Sequence, residues 1–208
     1  MAAKLYCFGE SGNAYKAALT MELSGYDWEP VYVDFFNGAA RSPEYRELNE
    51  MGEAPVFVEG DTKLSQSCVI QLHVAEQTGK FLAEDRNEML RWMFWDGQKG
   101  SGQQGSLRFL MNFLPEAKRP QEAIKFLSGR VLAALGTLEA HLEGRDWMVG
   151  AAPSLADFAC CGYLYYPEPF GFARKDFPNI DRWLDRIAAL PGWKHPYELM
   201  PGNPSDRA

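Results

Sequence analysis

The sequence has few of the residues that usually hold metal ions. It contains four cysteines and three histidines among 208 residues. The cysteines are Cys7, Cys68 and the adjacent pair Cys160 and Cys161, and the histidines lie far apart in the chain. Zinc and dithiol redox sites need such residues at close, regular spacing. The sequence therefore predicts free thiols and no metal site.

Long apolar runs are also missing. No stretch of about 18 consecutive apolar residues, the length that spans a bilayer, occurs in the chain. The first residues, Met1–Phe8, lack the apolar run and small-residue cleavage site of a signal peptide. These two absences predict a cytoplasmic chain that does not cross a membrane.

Positive charge is scarce relative to negative charge. The chain has 21 lysines and arginines against 28 aspartates and glutamates, a net charge of −7. Nucleic acids and anionic membranes are bound by clustered positive charge, so the composition argues against both as partners. A small molecule is the expected partner.

The composition is otherwise that of a globular protein. Hydrophobic residues make up 46% of the chain and aromatic residues 13%, which excludes disordered and collagenous classes. A chain of this length forms one large or two small domains, each able to bury a core. We expect two compact units.

The first part of the chain alternates between strand and helix signals. The expected elements are strands at 4–8, 28–33, 55–58 and 62–64 and helices at 14–24 and 66–77. The initial strand-helix-strand unit predicts a parallel pair of strands, because its connection crosses over through a helix. The pattern indicates an α/β domain over residues 1–79.

The second part of the chain is typical of helices alone. Beyond a connector at 79–86, strand signals disappear and apolar residues recur at helical spacing, which predicts an all-helical domain over residues 86–208. Ser154 and Asp157 have the spacing of a capping box at a helix start. The glycines between Gly97 and Gly105 predict a break in a long helix.

Several local motifs, in this order, resemble those of the cytosolic glutathione transferases. The segment Leu5–Lys16 resembles the family's strand, catalytic loop and helix. Asn49–Val56 is similar to its N-P-x-G-x-V-P stretch with a cis-proline, and Leu64–Ile70 to its (E/Q)-S-x-A-I motif. The cap at Ser154 adds a match in the helical part. The resemblance covers nearly the whole chain and is to bacterial members with a serine-type loop.

This resemblance implies both a fold and a reaction. The fold is a thioredoxin-like N-terminal domain followed by an all-α helical-bundle domain. The reaction is that of a detoxifying transferase, which activates the glutathione thiol as thiolate for attack on a hydrophobic electrophile. Glutathione is then a co-substrate, no cofactor is expected, and a homodimer is the expected assembly.

Ser11 and Asn13 are the expected catalytic residues. A free thiol titrates near pH ~8.5, so the site must stabilise its anion. The Ser11 hydroxyl, at the start of a helix, is suited to donate to that anion, and the Asn13 amide is a second donor. Helix capping uses the same residue types. Tyr6 is a rival, because other classes of the family use a tyrosine at the end of the first strand.

The resemblance assigns glutathione contacts to two further motifs. Pro55 is expected to follow a cis bond, an uncommon state even for proline. The backbone of Ala54 would then pair with the cysteinyl part of glutathione. Gln66 and Ser67 open a helix, whose free N–H groups suit the γ-glutamyl carboxylate.

Five other positions are carried over from the family. Glu53 and Asn37 are expected beside the tripeptide, with Asn37 at its glycyl end. Trp95, Lys99 and Tyr166 are expected to line the electrophile pocket of the helical domain.

Two alternative functions stay open on the residues alone. A glutathione-dependent disulfide reductase or peroxidase would require a reactive thiol, because the Ser11 hydroxyl cannot form a mixed disulfide. This hypothesis assigns the thiol to Cys7 and predicts that Cys7→Ser loses activity on a disulfide substrate. The other alternative is a non-catalytic ligand-binding or interaction module of the same fold.

Overall fold

The computed structural model describes residues 2–202; Met1 and residues 203–208, which belong to the two expected domains, lie outside the described part. The chain divides into two compact units. Unit 1 combines the chain up to Phe81 with the chain from Pro191 onward, and unit 2 spans Leu82–Leu190.

Unit 1 is built on a mixed sheet of four strands in the order β2-β1-β3-β4. Its elements before unit 2 are β1 (Ala3–Cys7), α1 (Gly12–Ser24), β2 (Trp28–Tyr32), α2 (Pro43–Arg46), β3 (Val56–Glu59), β4 (Thr62–Ser65) and α3 (Ser67–Thr78). Strands β1 and β2 are parallel, whereas β3 is antiparallel to both β1 and β4. The expected α/β order and the parallel first pair are confirmed.

Local signals explain where the helices of unit 1 end. Gly25 follows α1 and Gly79 follows α3, with φ angles of 71° and 68° that glycine adopts without steric cost. Helices α1 and α3 pack against each other. Leu5, Phe57 and Ile70, which come from β1, β3 and α3, have no exposed surface. Burial of these apolar side chains holds the helices and the sheet together.

The stretch between β2 and β3, expected to be irregular, carries two short helical turns. A 3-10 turn covers Ala39–Arg41, and Ser42 caps α2 by accepting a 3.1 Å hydrogen bond from the Tyr45 N–H. Tyr45 packs with Val33 and Val56 in a small buried cluster. The stretch is therefore tied to the sheet rather than loose.

Unit 2 is helical, as expected. Its helices are α4 (Arg86–Lys99), α5 (Ser101–Asn112), α6 (Gln121–His141), α7 (Leu155–Cys160) and α8 (Pro178–Ala188), with 3-10 turns at Glu116–Lys118 and Arg174–Asp176. The expected break lies at Gly100, between α4 and α5. There the buried Asp96 carboxylate accepts hydrogen bonds from both the backbone N–H and the hydroxyl of Ser101.

The capping box at the start of α7 is confirmed. Asp157 Oδ2 accepts from the Ser154 N–H at 2.8 Å and from its hydroxyl at 3.1 Å. Asp157 Oδ1 accepts from the Met148 N–H and from Trp183 Nε1, each at 2.8 Å. This fully buried carboxylate therefore joins three separate segments of unit 2.

After Leu190 the chain returns to unit 1. The short helix α9 (Pro196–Leu199) packs against α1, and the Tyr15 hydroxyl donates to the Lys194 carbonyl at 2.9 Å. The expected helical domain, residues 86–208, is therefore longer than unit 2. The last part of the chain joins unit 1 because it contacts α1, which is distant in the sequence.

Candidate active site

One edge of the unit 1 sheet gathers most of the expected site residues. Because β1 and β2 are parallel and β3 is antiparallel to β1 and β4, strands β1, β2 and β4 end where β3 begins. We call this the loop edge. At this edge Val56 is paired with Tyr6 on one side and with Ser65 on the other. The loop before α1, the peptide before Val56 and the start of α3 therefore lie at the same edge.

Ser11 caps the helix that begins at the loop edge. Its Oγ accepts a 3.1 Å hydrogen bond from the Ala14 N–H, and Ser11 is only 6% exposed. A hydroxyl accepts and donates at the same time, so the capping bond leaves the Ser11 proton available to another acceptor. Capping and thiolate binding are thus compatible roles, and the cap fixes the position of Oγ.

Two helix N-termini meet the loop edge. Helix α1 begins at Gly12 with Asn13 in its first turn, and α3 begins at Ser67, which is buried. Each N-terminus carries unpaired backbone N–H groups and the positive end of the helix dipole. Together they create a local field that suits an anion even though the chain as a whole is negative.

Gln66 stands at the start of α3 in a rare backbone conformation. Its φ of 70° lies in the left-handed region, which residues other than glycine seldom adopt. Its Nε2 donates to Glu53 Oε2 at 3.2 Å, which brings two of the expected glutathione contacts together. Strained backbone of this kind is concentrated at functional sites.

The peptide before β3 has the expected cis geometry. The Ala54–Pro55 bond is cis, which confirms that prediction. The turn before it is fixed by two bonds to the Glu53 carbonyl, from the Tyr45 hydroxyl at 3.0 Å and from Asn49 Nδ2 at 2.8 Å. Tyr45 and Asn49 are not among the site residues that the sequence predicts. The position of Asn49 at the start of the cis-proline motif was the available signal.

Tyr6, the rival to Ser11, is occupied in packing. Its ring meets the Tyr45 ring edge to face, with centroids 6.3 Å apart. Tyr6 also packs against the small cluster that contains Val33 and Val56. These contacts favour a structural role for its ring.

Cys7 does not have the environment of a reactive thiol. The residue has no exposed surface, and burial raises the pKa of its thiol to about 12. The thiolate is the nucleophilic form, so a thiol with this pKa is inert near pH 7.

Asn37 lies at the loop edge, but its amide already has partners. It follows β2 in an exposed turn and donates to both carboxylate oxygens of Asp34, at 3.1 and 2.9 Å. A ligand at this position would compete with Asp34 for the amide.

The expected pocket residues lie in unit 2. Trp95 meets Trp92 edge to face, with centroids 5.1 Å apart. Lys99, one turn further along, is the last residue of α4. The Tyr166 ring lies under the Arg108 guanidinium, 4.0 Å from the ring centroid.

Arg108 is a buried charge that the sequence does not indicate. It is paired with Glu168 at 2.6 Å and has a side chain only 2% exposed. A lone arginine in a helix carries no local signal of burial. The pairing with Glu168 is what makes its burial tolerable.

The described part of the chain has neither a metal-binding cluster nor a membrane-spanning helix. Across residues 2–202, no group of three or more histidine, cysteine, aspartate or glutamate side chains is arranged to hold a metal ion. Among the described helices, none is both long and apolar enough to cross a membrane.

Comparison with known proteins points to one family. Residues 1–76 match the model of the glutathione S-transferase N-terminal domain and residues 106–191 that of the C-terminal domain. Glutathione S-transferase F10 of Arabidopsis thaliana is 30% identical, over 88% of this chain and 90% of its own. Disulfide-bond oxidoreductase YfcG of Escherichia coli is 26% identical, over 88% and 89%.

A solved structure agrees with these matches. The glutathione S-transferase of Xanthobacter autotrophicus superposes with a TM-score of 0.87 at 33% identity, covering 95% of this chain and 98% of its own.

Proposed function

The chain belongs to the glutathione S-transferase family, and from that premise we propose that it ionises the glutathione thiol beside Ser11 and directs the thiolate at a hydrophobic electrophile. As a glutathione transferase it uses glutathione as a co-substrate and needs no cofactor. One observation carries the proposal: the Ser11 cap, the cis Ala54–Pro55 peptide and the start of α3 share the loop edge. In this proposal the catalytic loop is of the serine type found in bacterial members.

Thiol activation requires stabilisation of a negative charge. Lowering the thiol pKa by ~2 units needs about 2.7 kcal/mol of preferential thiolate binding. A hydrogen bond from the Ser11 hydroxyl to the charged sulfur supplies about 1.5–3 kcal/mol. The positive end of α1 adds about 0.3–1 kcal/mol. The Asn13 amide is a second donor in the same turn, so no general base is required.

The rest of the tripeptide is held along the loop edge. The backbone of Ala54, before cis Pro55, pairs with the cysteinyl part as an added strand would. The N–H groups that open α3 at Gln66 and Ser67 receive the γ-glutamyl carboxylate. The Glu53 carboxylate, already bonded to Gln66, is suited to the γ-glutamyl ammonium group. Asn37 contacts the glycyl end once its amide leaves Asp34.

Glutathione affinity tests the placement of the tripeptide. Ser67→Ala removes the hydroxyl at the start of α3, and we expect its glutathione Kd, measured by titration calorimetry, to rise about tenfold. Gln77→Ala, at the exposed far end of the same helix, is the matched control and should bind like the wild type. If Ser67→Ala binds glutathione as tightly as the wild type does, the start of α3 does not hold the γ-glutamyl carboxylate. If the wild type itself does not bind glutathione, the whole proposal is wrong.

Disulfide reduction is the second candidate, because a relative that aligns over most of this chain is a disulfide-bond oxidoreductase. In such a reaction a glutathione thiolate attacks one disulfide sulfur and releases the other as a thiolate. A second glutathione then attacks the mixed disulfide, giving oxidised glutathione and a second thiol. Ser11 activates glutathione in either reaction, so assays with a model electrophile and with 2-hydroxyethyl disulfide distinguish the two functions. Glutathione binding with no turnover in either assay would instead indicate a ligand-binding module.

A Cys7 variant tests the role of the protein's own thiols. We expect Cys7→Ala to change the rates of both reactions less than twofold, since a buried thiol with a pKa of about 12 supplies no thiolate near pH 7. The measurement is the specific activity of the wild type and of Cys7→Ala in both assays, at equal concentrations of folded protein. Loss of disulfide reduction alone would assign that reaction to Cys7.

The electrophile pocket, the assembly and the compartment complete the proposal. Trp95, Lys99 and Tyr166 line the pocket for the hydrophobic electrophile. A homodimer is supported by large exposed apolar side chains, among them Met51 and Phe94. The four free cysteines suit the reducing cytoplasm, where disulfides are rare.

A further inference from the structure

The end of the described chain lies on the loop that carries Ser11. The Gly9 N–H, two residues before Ser11, donates to the Pro201 carbonyl at 2.7 Å. The same loop is closed by a bond from the Ser11 N–H to the Phe8 carbonyl at 3.1 Å. The backbone on the N-terminal side of Ser11 is thus bonded both to itself and to a segment about 190 positions away in the sequence.

The two segments are too close for side chains at the contact. A Cβ on Gly9 would lie 3.2 Å from Tyr197 Cδ1 and 3.2 Å from the Gly202 carbonyl oxygen. A Cβ on Gly202, where φ is 78°, would overlap the Tyr32 ring. Glycine at both positions allows this close approach.

The C-terminal segment is itself anchored on α1. The Lys194 carbonyl accepts from the buried Tyr15 hydroxyl, and Lys194 Nζ forms an ion pair with Glu22 at 2.6 Å. Leu199 and Met200 are buried, with 7% and 3% of their surfaces exposed. The anchor therefore rests on the same helix that Ser11 caps.

We propose that residues 194–202, the C-terminal clasp, position the Ser11 hydroxyl for thiolate binding. In this proposal the clasp contacts neither the thiol sulfur nor the electrophile. It acts through the Gly9 N–H, which it holds so that the loop presents Ser11 Oγ in one place. This inference rests on the proposed role of Ser11 as thiolate donor.

The physical basis is preorganisation of a hydrogen-bond donor. A donor stabilises a developing anion fully only when it is already held at the correct distance and direction. A displacement of such a group by 1 Å can lower the reaction rate by about 100-fold. The cap bond from the Ala14 N–H fixes Ser11 on the helix side, and the clasp fixes the loop on the strand side. Loosening the clasp should weaken thiolate stabilisation more than the binding of the rest of the tripeptide.

The first test is Gly9→Ala, which forces the clasp and the loop apart by a few tenths of an ångström. We expect kcat to fall about tenfold, with the apparent pKa of the bound thiol raised and the glutathione Kd changed less than threefold. The ultraviolet absorbance of the bound thiolate reports that pKa. So does the pH profile of kcat/KM for the electrophile at saturating glutathione. Gly60→Ala is the matched control, because Gly60 has a positive φ in the open β3–β4 turn at the opposite edge of the sheet. It should lose stability without a shift in the pH profile.

The second test changes the clasp and leaves the sequence of the catalytic loop unchanged. Gly202→Ala pushes the clasp against Tyr32 and alters the loop only through the clasp residues that contact Gly9. It should therefore raise the thiol pKa, as Gly9→Ala does. Unchanged pH profiles in both folded variants, alongside a shifted profile in Ser11→Ala, would overturn the clasp alone. An unchanged profile in Ser11→Ala would instead overturn the proposed function. A shift in Gly60→Ala as large as that in Gly9→Ala would also overturn the clasp, since it would reduce the effect to general destabilisation.

Discussion

Replacing Ser11 by alanine is expected to lower kcat/KM for a model electrophile on the order of 100-fold near pH 6.5, the typical loss for one preorganised donor to a developing anion. The Ala14 N–H already holds the Ser11 oxygen at 3.1 Å, so the hydroxyl is oriented before glutathione arrives. Without it, the bound thiol keeps a pKa nearer its free value. The loss should therefore shrink as the pH rises and the thiol ionises unaided. The measurement is kcat/KM for the electrophile from pH 5.5 to 9, with saturating glutathione and varied electrophile.

The same substitution also removes a helix cap, and the two effects must be separated. Loss of a capping side chain costs about 1 kcal/mol of stability. Ser11→Thr keeps the cap and the donor and should stay active. Ser11→Asp keeps the capping acceptor but places a negative charge beside the sulfur, so it should stay folded and lose activity. Asp85→Ala removes the equivalent cap of α4, where Asp85 Oδ1 accepts from the Glu88 N–H, and is the control for cap loss alone.

If Ser11→Ala keeps its activity across the pH range, the donor is another residue of the loop edge. Asn13→Ala and Tyr6→Phe then identify it. Tyr6 is the weaker candidate, because its ring packs against Tyr45 and the small cluster of unit 1.

Local signals made much of the fold predictable. The strand and helix order of unit 1 follows from turn residues and from the alternation of apolar positions, each read within a few residues. The capping box at Ser154 and the helix break at Gly100 are local in the same sense. The cis Ala54–Pro55 bond was predictable only through the resemblance of its motif, because proline itself is mostly trans.

Contacts between distant segments could not be predicted in this way. Nothing near Pro201 indicates that its carbonyl accepts from Gly9, because the bond depends on how the chain returns after unit 2. The burial of Arg108 against Glu168, 60 positions further along the chain, is of the same kind. These contacts set the exact position of site groups, so the sequence predicts which residues form the site better than it predicts what holds them there.

Replacing Asp157 by alanine is expected to destabilise the protein by about 3 kcal/mol or more at pH 7. The carboxylate accepts from the backbone N–H groups of Met148 and Ser154 and from Trp183 Nε1, each at 2.8 Å, and from the Ser154 hydroxyl. Removing it leaves three buried N–H donors without an acceptor, at about 1–3 kcal/mol each. The hydroxyl can turn to another partner and adds little. Reversible denaturant unfolding measures the loss.

Two further variants show that the loss comes from the buried bonds. Asp157→Asn keeps one acceptor oxygen but places its NH2 group against a buried N–H donor. It should therefore lose less stability than Asp157→Ala and more than about 1 kcal/mol. Asp146→Ala removes an exposed carboxylate paired with Arg186, an interaction expected to contribute less than about 1 kcal/mol. If the Asp146 variant loses as much stability as Asp157→Ala, or if Asp157→Ala loses less than 1 kcal/mol, the cap does not hold unit 2 together.

The Asp157 carboxyl also predicts how the loss changes with pH. Burial raises its pKa from 3.8 to about 6, even though four hydrogen bonds oppose the shift. Between these values the folded state keeps a proton that the unfolded state has lost. This stabilisation is therefore complete below pH 3.8 and disappears as the pH rises through 6. Asp157→Asn lacks the titration, so its deficit relative to the wild type should be larger at pH 5 than at pH 7.5, by about 1–2 kcal/mol. A deficit that stays constant or shrinks toward pH 5 would mean that Asp157 is ionised in the fold throughout this range, with its four donors outweighing the cost of burial.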